Sequence, residues 1–339
     1  MRLSPKARLA VAAVASVVLV AAVLVVVLRS REHSQAVAAA RAGGGAGVPS
    51  PVPVKLGESD DLYVVRAGPG ADSGIVYAIG DAGKGPARST GVSCRRFYAA
   101  ERTAVCLRVV PGVVTKSDAI ILDGDLREVR RVALPGVPSR ARVSADGRMV
   151  SWTVFTTGDS YLSVGFATRT GILDTRTGKV VNSLETFTLY KDGEPERAVD
   201  LNYWGVTFTS DDNTFYATAS TAGRVYLVKG DFAAGRMNVV REGPECPSLS
   251  PDGTRLAYKK RTGDQSSPWR LHVLDLRSGR ETALAETANV DDQAAWYDDH
   301  TVMYARLRAD TTDVWKVPAD GSGTPATLAK DAFSPARSG

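Results

Sequence analysis

Residues 249–258 read LSPDGTRLAY, and this phrase decides the fold. Ser250-Pro251-Asp252-Gly253 carries the residue types a type I turn favours: Ser first, Pro second with φ preset, Gly fourth. The run RLAYKK that follows reads as a short strand leaving the turn. One turn and one strand say little, but the phrase recurs. VSADGRMVSW (143–152) repeats it with Ser144, Asp146 and Gly147 in register, and FTSDDNTFYA (208–217), WYDDHTVMY (296–304) and FYAAERTAVC (97–106) are more worn copies.

A second phrase lies downstream of the clearest copies. LHVLDLRSGRETAL (271–284) matches GILDTRTGKVVNSL (171–184), and DVWKVPADGSGTPATL (313–328) is a looser version. Each reads strand, turn, strand, with Gly279 or Gly178 expected at the positive-φ position of a hairpin turn. A unit therefore holds four short strands, a to d. Aligned on Ser250, the copies start at Tyr98, Ser144, Thr209, Ser250 and Tyr297, with spacings of 46, 65, 41 and 47 residues. Four strands per 40–50 residues is the pattern of a β-propeller. Runs such as AIILD and VYLVKG are apolar throughout, as strands covered on both faces by neighbouring blades must be.

The count gives an all-β, six-bladed propeller. Five blades begin near residues 94, 140, 205, 246 and 292. The first is built from residues 61–90 and lacks an innermost strand. Two segments compete for that place: AFSPARSG (332–339), which resembles SLSPDG, and VPVKLGESD just before Leu62. The Ser-Pro-Asp-Gly-x-x-Leu-Ala-Tyr and Asp-Leu-x-Ser-Gly-Arg phrases resemble the repeat of TolB-type six-bladed propellers, also called the WD40-like or PD40 repeat. The resemblance covers roughly residues 61–339 and is strongest in the third and fifth blades. It implies a bacterial cell-envelope propeller used for protein contacts. TolB carries an α/β domain before its propeller and is secreted free of the membrane; this chain departs on both points, so TolB's own partner does not transfer.

The N-terminus accounts for the charge. The chain of 339 residues is +5, with 42 Lys+Arg and 37 Asp+Glu. Residues 1–50 hold six of those cations and one acid (Glu32), leaving 36 against 36 in the rest. A neutral body argues against a nucleic-acid partner. Arg2, Lys6 and Arg8 form a basic segment (1–8) before the uncharged run LAVAAVASVVLVAAVLVVVL (9–28), whose 20 residues make about 30 Å of helix, a bilayer's apolar thickness. A cleaved secretory signal is the rival reading; the run is longer than such signals have, and the small-residue sites near Ala38 lie too far beyond it. The expectation is an uncleaved signal-anchor crossing the cell membrane once, with the body outside. Residues 29–59 read as an Ala/Gly/Pro-rich linker and 60–339 as the propeller. An outside location permits disulfides. Cys94 and Cys106 flank a predicted hairpin and are positioned to pair, leaving Cys246 over; three buried thiols are the alternative.

In a propeller the a–b and c–d turns share one face, here the tight-turn face, and the b–c loops and d–a crossings share the other, the long-loop face. The SPDG-type turns, with Ser250, Asp252, Gly253, Asp146 and Gly147, and the hairpin glycines Gly178 and Gly279, are structural in this reading. Binding is expected on the long-loop face, where the 65-residue spacing adds an insertion, ETFTLYKDGEPERAVDLNYWG (185–205). Its Tyr203 and Trp204 are either contact aromatics or the start of blade 4's core. Arg95, Arg96, Arg140, Lys259, Lys260, Arg261, Arg306 and Arg308 are expected near the same channel mouth, with Trp269 at the end of a long loop; they suit an anionic or acidic partner, or are solvated strand ends balanced by Asp200, Glu245 and Asp264. Enzymatic signals are sparse. The three histidines, His33, His272 and His300, are scattered, no Gly-x-Ser-x-Gly elbow occurs, and the acidic pairs Asp291-Asp292 and Asp298-Asp299 lack calcium-loop spacing and read as turns. No catalytic residue, metal or cofactor is assigned. The leading expectation is a non-enzymatic, membrane-tethered binding or scaffold module with an envelope protein partner. A lactonase- or lyase-like envelope enzyme and a small-anion sensor are the alternatives, because the fold hosts many chemistries.

Overall fold

The computed structural model describes residues 54–110, 116–156 and 167–338. The segment 9–28 lies outside these residues; among those described, no helix is long and apolar enough to cross a membrane. By contact, residues 51–339 form one compact unit.

Six antiparallel sheets make six blades. Blade 1 holds β1 (Asp61–Arg66), β2 (Ile75–Ile79) and β3 (Ala87–Ser93); blade 2 holds β4 (Arg96–Ala100), β5 (Thr103–Val110), β6 (Lys116–Leu122) and β7 (Glu128–Leu134). Blade 3 holds β8 (Val137–Val143), β9 (Met149–Thr156), β10 (Ala167–Asp174) and the two-residue β11 (Val180–Val181). After a hairpin of β12 (Thr188–Lys191) and β13 (Glu194–Glu196), blade 4 runs through β14 (Asn202–Phe208), β15 (Thr214–Thr221), β16 (Arg224–Asp231) and β17 (Arg236–Glu242). Blade 5 holds β18 (Glu245–Leu249), β19 (Arg255–Arg261), β20 (Trp269–Asp275) and β21 (Glu281–Ala283); blade 6 holds β22 (Ala295–Asp298), β23 (Thr301–Arg308), β24 (Thr311–Pro318) and β25 (Ala326–Ala329). The last strand, β26 (Ala332–Ser338), pairs antiparallel with β1, so the C-terminal segment supplies the missing inner strand of blade 1.

The competing segment does something else. Val54 and Leu56, which composition places in the linker, are buried in the core shared by blades 1 and 2, and the Leu56 amide donates to the Gly124 carbonyl at 2.8 Å. The chain thus joins the propeller before its first strand. Cys94 and Cys106 form a disulfide within blade 2, Cα atoms 5.4 Å apart, and Cys246 is a buried free thiol.

The insertion corrects an expectation. Its hairpin of β12 and β13 lies against the outer edge of blade 4, where β12 adds parallel to β17 and gives that sheet six strands, while its Tyr203 and Trp204 belong to the inner strand β14. Leu184, Phe187 and Leu189 are buried against Phe215, Phe232 and Met237. Covering a free strand edge accounts for the burial of Phe187 and Leu189 on one side of the hairpin.

The repeated turns share one hydrogen-bond scheme. The Gly253 amide donates to the Ser250 carbonyl at 2.8 Å, the Arg255 amide to Ser250 Oγ at 2.9 Å, and the Thr254 amide to Asp252 Oδ1 at 2.9 Å. At the other clear copy, Gly147 donates to the Ser144 carbonyl at 2.9 Å and Met149 to Ser144 Oγ at 2.8 Å. Burial would raise the Asp252 carboxyl, but hydrogen bonds from Ser250 and Thr254 hold it well below the usual range. Gly253 and Gly147 have φ of +70° and +80°. A Cβ on Gly253 would meet open space, whereas one on Gly147 would lie 2.9 Å from Thr103 Oγ1 of blade 2. Gly253→Val is therefore expected to cost about 1–2 kcal/mol from left-handed backbone alone, and Gly147→Val clearly more; paired thermal or urea melts check the order, and equal losses would contradict the steric difference.

Candidate functional site

Alternate residues of each inner strand point into the central channel. The long-loop mouth gathers Arg96 from β4, Arg140 from β8, Glu245 and Cys246 from β18, Lys259 and Arg261 from β19, and Asp291 from the loop before β22, around a cavity of about 450 Å³. Trp269 and Trp204 form part of its wall. A neighbouring cavity of about 460 Å³ shares Arg96 and Asp291 and adds Arg66, Arg95, Asp292 and Leu307.

The cations are held by carboxylates. Asp292 Oδ1 lies 3.5 Å from Arg96 Nη1 and 3.6 Å from Arg140 Nη1. Asp291 contacts Lys259 Nζ and lies 3.8 Å from Arg140 Nη2. Glu245 Oε1 is 3.1 Å from Arg261 Nε. Lys259 and Arg261 both stack on the Trp269 ring, at 4.1 and 4.5 Å from its centroid; an indole face attracts such cations. Burial works to raise the Asp291 carboxyl, but Lys259, with Arg140 and Arg96 beyond, holds it below its ordinary range. Glu245 shows the opposite balance: burial pushes its carboxyl up despite Lys259 and Arg261. The mouth thus has four cations, three acids and two indoles. Such a surface suits a partner presenting its own charged and aromatic groups.

Several expected site residues stand elsewhere. Tyr203 is 1% exposed and belongs to the core between blades 3 and 4, while Trp204, the next residue on β14, reaches the mouth. Lys260 turns away from its neighbour Lys259 and pairs with Glu281, because successive strand residues face opposite sides. Arg306 pairs with Glu286 at 2.8 Å and covers Trp315 at 3.8 Å, and Arg308 pairs with Asp313 at 2.7 Å. Arg140, Arg261 and Trp269 are at the mouth, and Arg95 lines the neighbouring cavity. Asp291 and Asp292, read from sequence as turn residues, are the counter-ions of the cluster; no local spacing marks them, since their partners lie on blades 2, 3 and 5. Among the described residues, no group of three His, Cys, Asp or Glu side chains is placed to hold a metal ion.

The middle of the channel is bridged. Gln293 Nε2 donates to the carbonyls of Val206 and Pro247, at 3.2 and 2.9 Å, and Arg142 Nη2 donates to the Ala294 carbonyl at 2.9 Å. These bonds tie blades 3, 4 and 5 to the approach of blade 6. Arg142 was missed in the sequence, although its spacing from Arg140 on one strand places both in the channel.

A ring of six blades around a charged, bridged channel defines a six-bladed β-propeller. No family model matches the sequence, and no curated protein matches it. Among solved structures, the chain is similar to TolB from Acinetobacter baumannii, at 16% identity over 83% of this chain and 67% of that one, with a TM-score of 0.55. It is also similar to a periplasmic gluconolactonase of Pseudomonas aeruginosa, at 14% identity over 83% of this chain and 99% of that one, with a TM-score of 0.50. At these identities the likeness shows the fold, which is TolB-like.

Asp291→Asn leaves Arg96 and Arg140 with Asp292, and Lys259 with Glu245, as their remaining nearby carboxylates. A carboxyl whose pKa is lowered on folding stabilises above its unfolded value, about 3.9, and that gain disappears as pH falls through the folded value. Melting temperature is thus expected to drop by about 2 °C at pH 7, with the gap to wild type closing below about pH 4. A gap that persists in acid would mean that Asp291 acts by packing.

Proposed function

We propose that this chain is an extracytoplasmic propeller tethered to the cell membrane that binds an envelope protein on its long-loop face. The observation that carries this reading is where apolar surface lies. Among the described residues, seven large hydrophobic side chains are exposed, and the strand directions place four of them, Val110, Val137, Phe155 and Leu307, at the long-loop face. Val129 and Val240 sit on outer strands, and Val199 lies between β13 and β14. Leu307 is 75% exposed and lines the cavity beside Asp291. Apolar groups framing an arginine- and tryptophan-bearing mouth have the composition of a protein interface. In this reading residues 9–28 anchor the chain, Arg2, Lys6 and Arg8 stay inside, and the linker before Val54 lets the propeller reach its partner.

The test is crosslinking of the full-length chain in cells, followed by mass spectrometry of the solubilised complex. A stoichiometric envelope protein is expected with the wild type. It should be lost with Val137→Asp combined with Leu307→Asp and retained with Val129→Asp, all with melting temperatures within about 2 °C of wild type, since exposed substitutions disturb folding little. Recovery of the wild-type chain alone, or a complex indifferent to the double variant, would overturn the proposal.

A further inference from the structure

The opposite mouth holds the larger cavity, about 750 Å³, ringed by the tight turns of the blades. Arg142 stands at its inner end and is 5% exposed. Its pairing differs from that of the arginines at the other mouth. Nη2 donates to the Ala294 carbonyl, Nε is buried without any hydrogen-bond partner, and no described carboxylate lies within 4 Å of the guanidinium. The guanidinium also lies over the Tyr98 ring, 4.4 Å from its centroid. A buried arginine keeps its charge, and a buried charge without a counter-ion is costly to the fold. This one opens onto a cavity whose walls include Trp296 and Tyr297. The other arginine there, Arg337, is already held by Asp60 at 2.7 Å.

We propose that the tight-turn mouth is a binding site for an organic carboxylate, with the carboxylate on Arg142 and its body against Trp296 and Tyr297. The rim selects among anions. Asp252, Asp298 and Asp299 surround the entrance, so a dianion such as phosphate meets repulsion that a single carboxylate with an apolar body meets less. The volume lies in the range of small-molecule sites and exceeds what one carboxylate group fills. This site shares no lining residue with the cavity at the long-loop mouth, so it stands whether or not a protein docks on that other face.

Benzoate is the probe, with benzamide as its uncharged match and inorganic phosphate as the competing anion, each titrated calorimetrically into the full-length chain at constant ionic strength. One benzoate per chain is expected, with a raised melting temperature and no response to benzamide. Arg142→Met should weaken benzoate at least tenfold and leave the ligand-free melting temperature equal or higher, because it removes an uncompensated charge. Arg140→Met, at the other mouth, should keep full benzoate binding. Wild type that ignores benzoate, or Arg142→Met that binds it equally, would overturn the site. Phosphate binding more tightly than benzoate through Arg142 would overturn the carboxylate assignment. A ligand-free Arg142→Met that melts well below wild type would make the arginine a strut of the channel and overturn the counter-ion argument.

Discussion

The antiparallel pairing of Ala332–Ser338 with Asp61–Arg66 is the constraint on which the rest of the molecule depends. A propeller with an unclosed first blade would present a free strand edge and an apolar blade face to water. Closure also locks blade 1 to blade 2, because Ser334 Oγ donates to the Phe97 carbonyl at 2.8 Å and accepts from the Phe97 amide at 3.1 Å. Residues 237 positions apart in the chain are thereby neighbours at the channel wall. The channel, and any site in it, exists through that long-range contact.

Once the ring is closed, the inner strands impose a geometry that chemistry must accept. Their inward residues share a narrow space, so charges there need partners across the channel. At the long-loop mouth the demand is met: Asp291, Asp292 and Glu245 answer Arg96, Arg140, Lys259 and Arg261. Two residues further along β8, Arg142 meets a carbonyl and an aromatic ring and, among the described residues, no carboxylate. The two mouths therefore differ in kind. One is a balanced, partly apolar surface suited to a protein, and the other a recessed cavity with an unanswered positive charge.

The blade count and the blade starts were legible because the repeat is written in local chemistry, whereas the choice between two segments for the closing strand was left to the β1–β26 pairing. Ser250 and Gly253 make their turn from hydrogen bonds spanning a few residues, and Asp275 and Gly279 do the same. The site was legible only in part. Arg140, Arg261 and Trp269 were placed at the mouth from strand ends, but Lys260 was grouped with Lys259 although the pleat turns them to opposite sides. The aromatic insertion looked like a contact loop, since Phe187 and Tyr190 carry no sign of the strand edge that β12 covers.

The sequence by itself determined the repeating blade, its turns and the neutral charge of the body, all set by residues near one another in the chain. The tertiary structure decided which charges meet. Asp291 and Asp292 face cations from three other blades, Tyr203 enters the core while Trp204 faces the channel, and Arg142 has no carboxylate beside it among the described residues. Those outcomes depend on blade-to-blade register around a closed ring, and electrostatic partners brought together by such closure leave no spacing pattern along the chain.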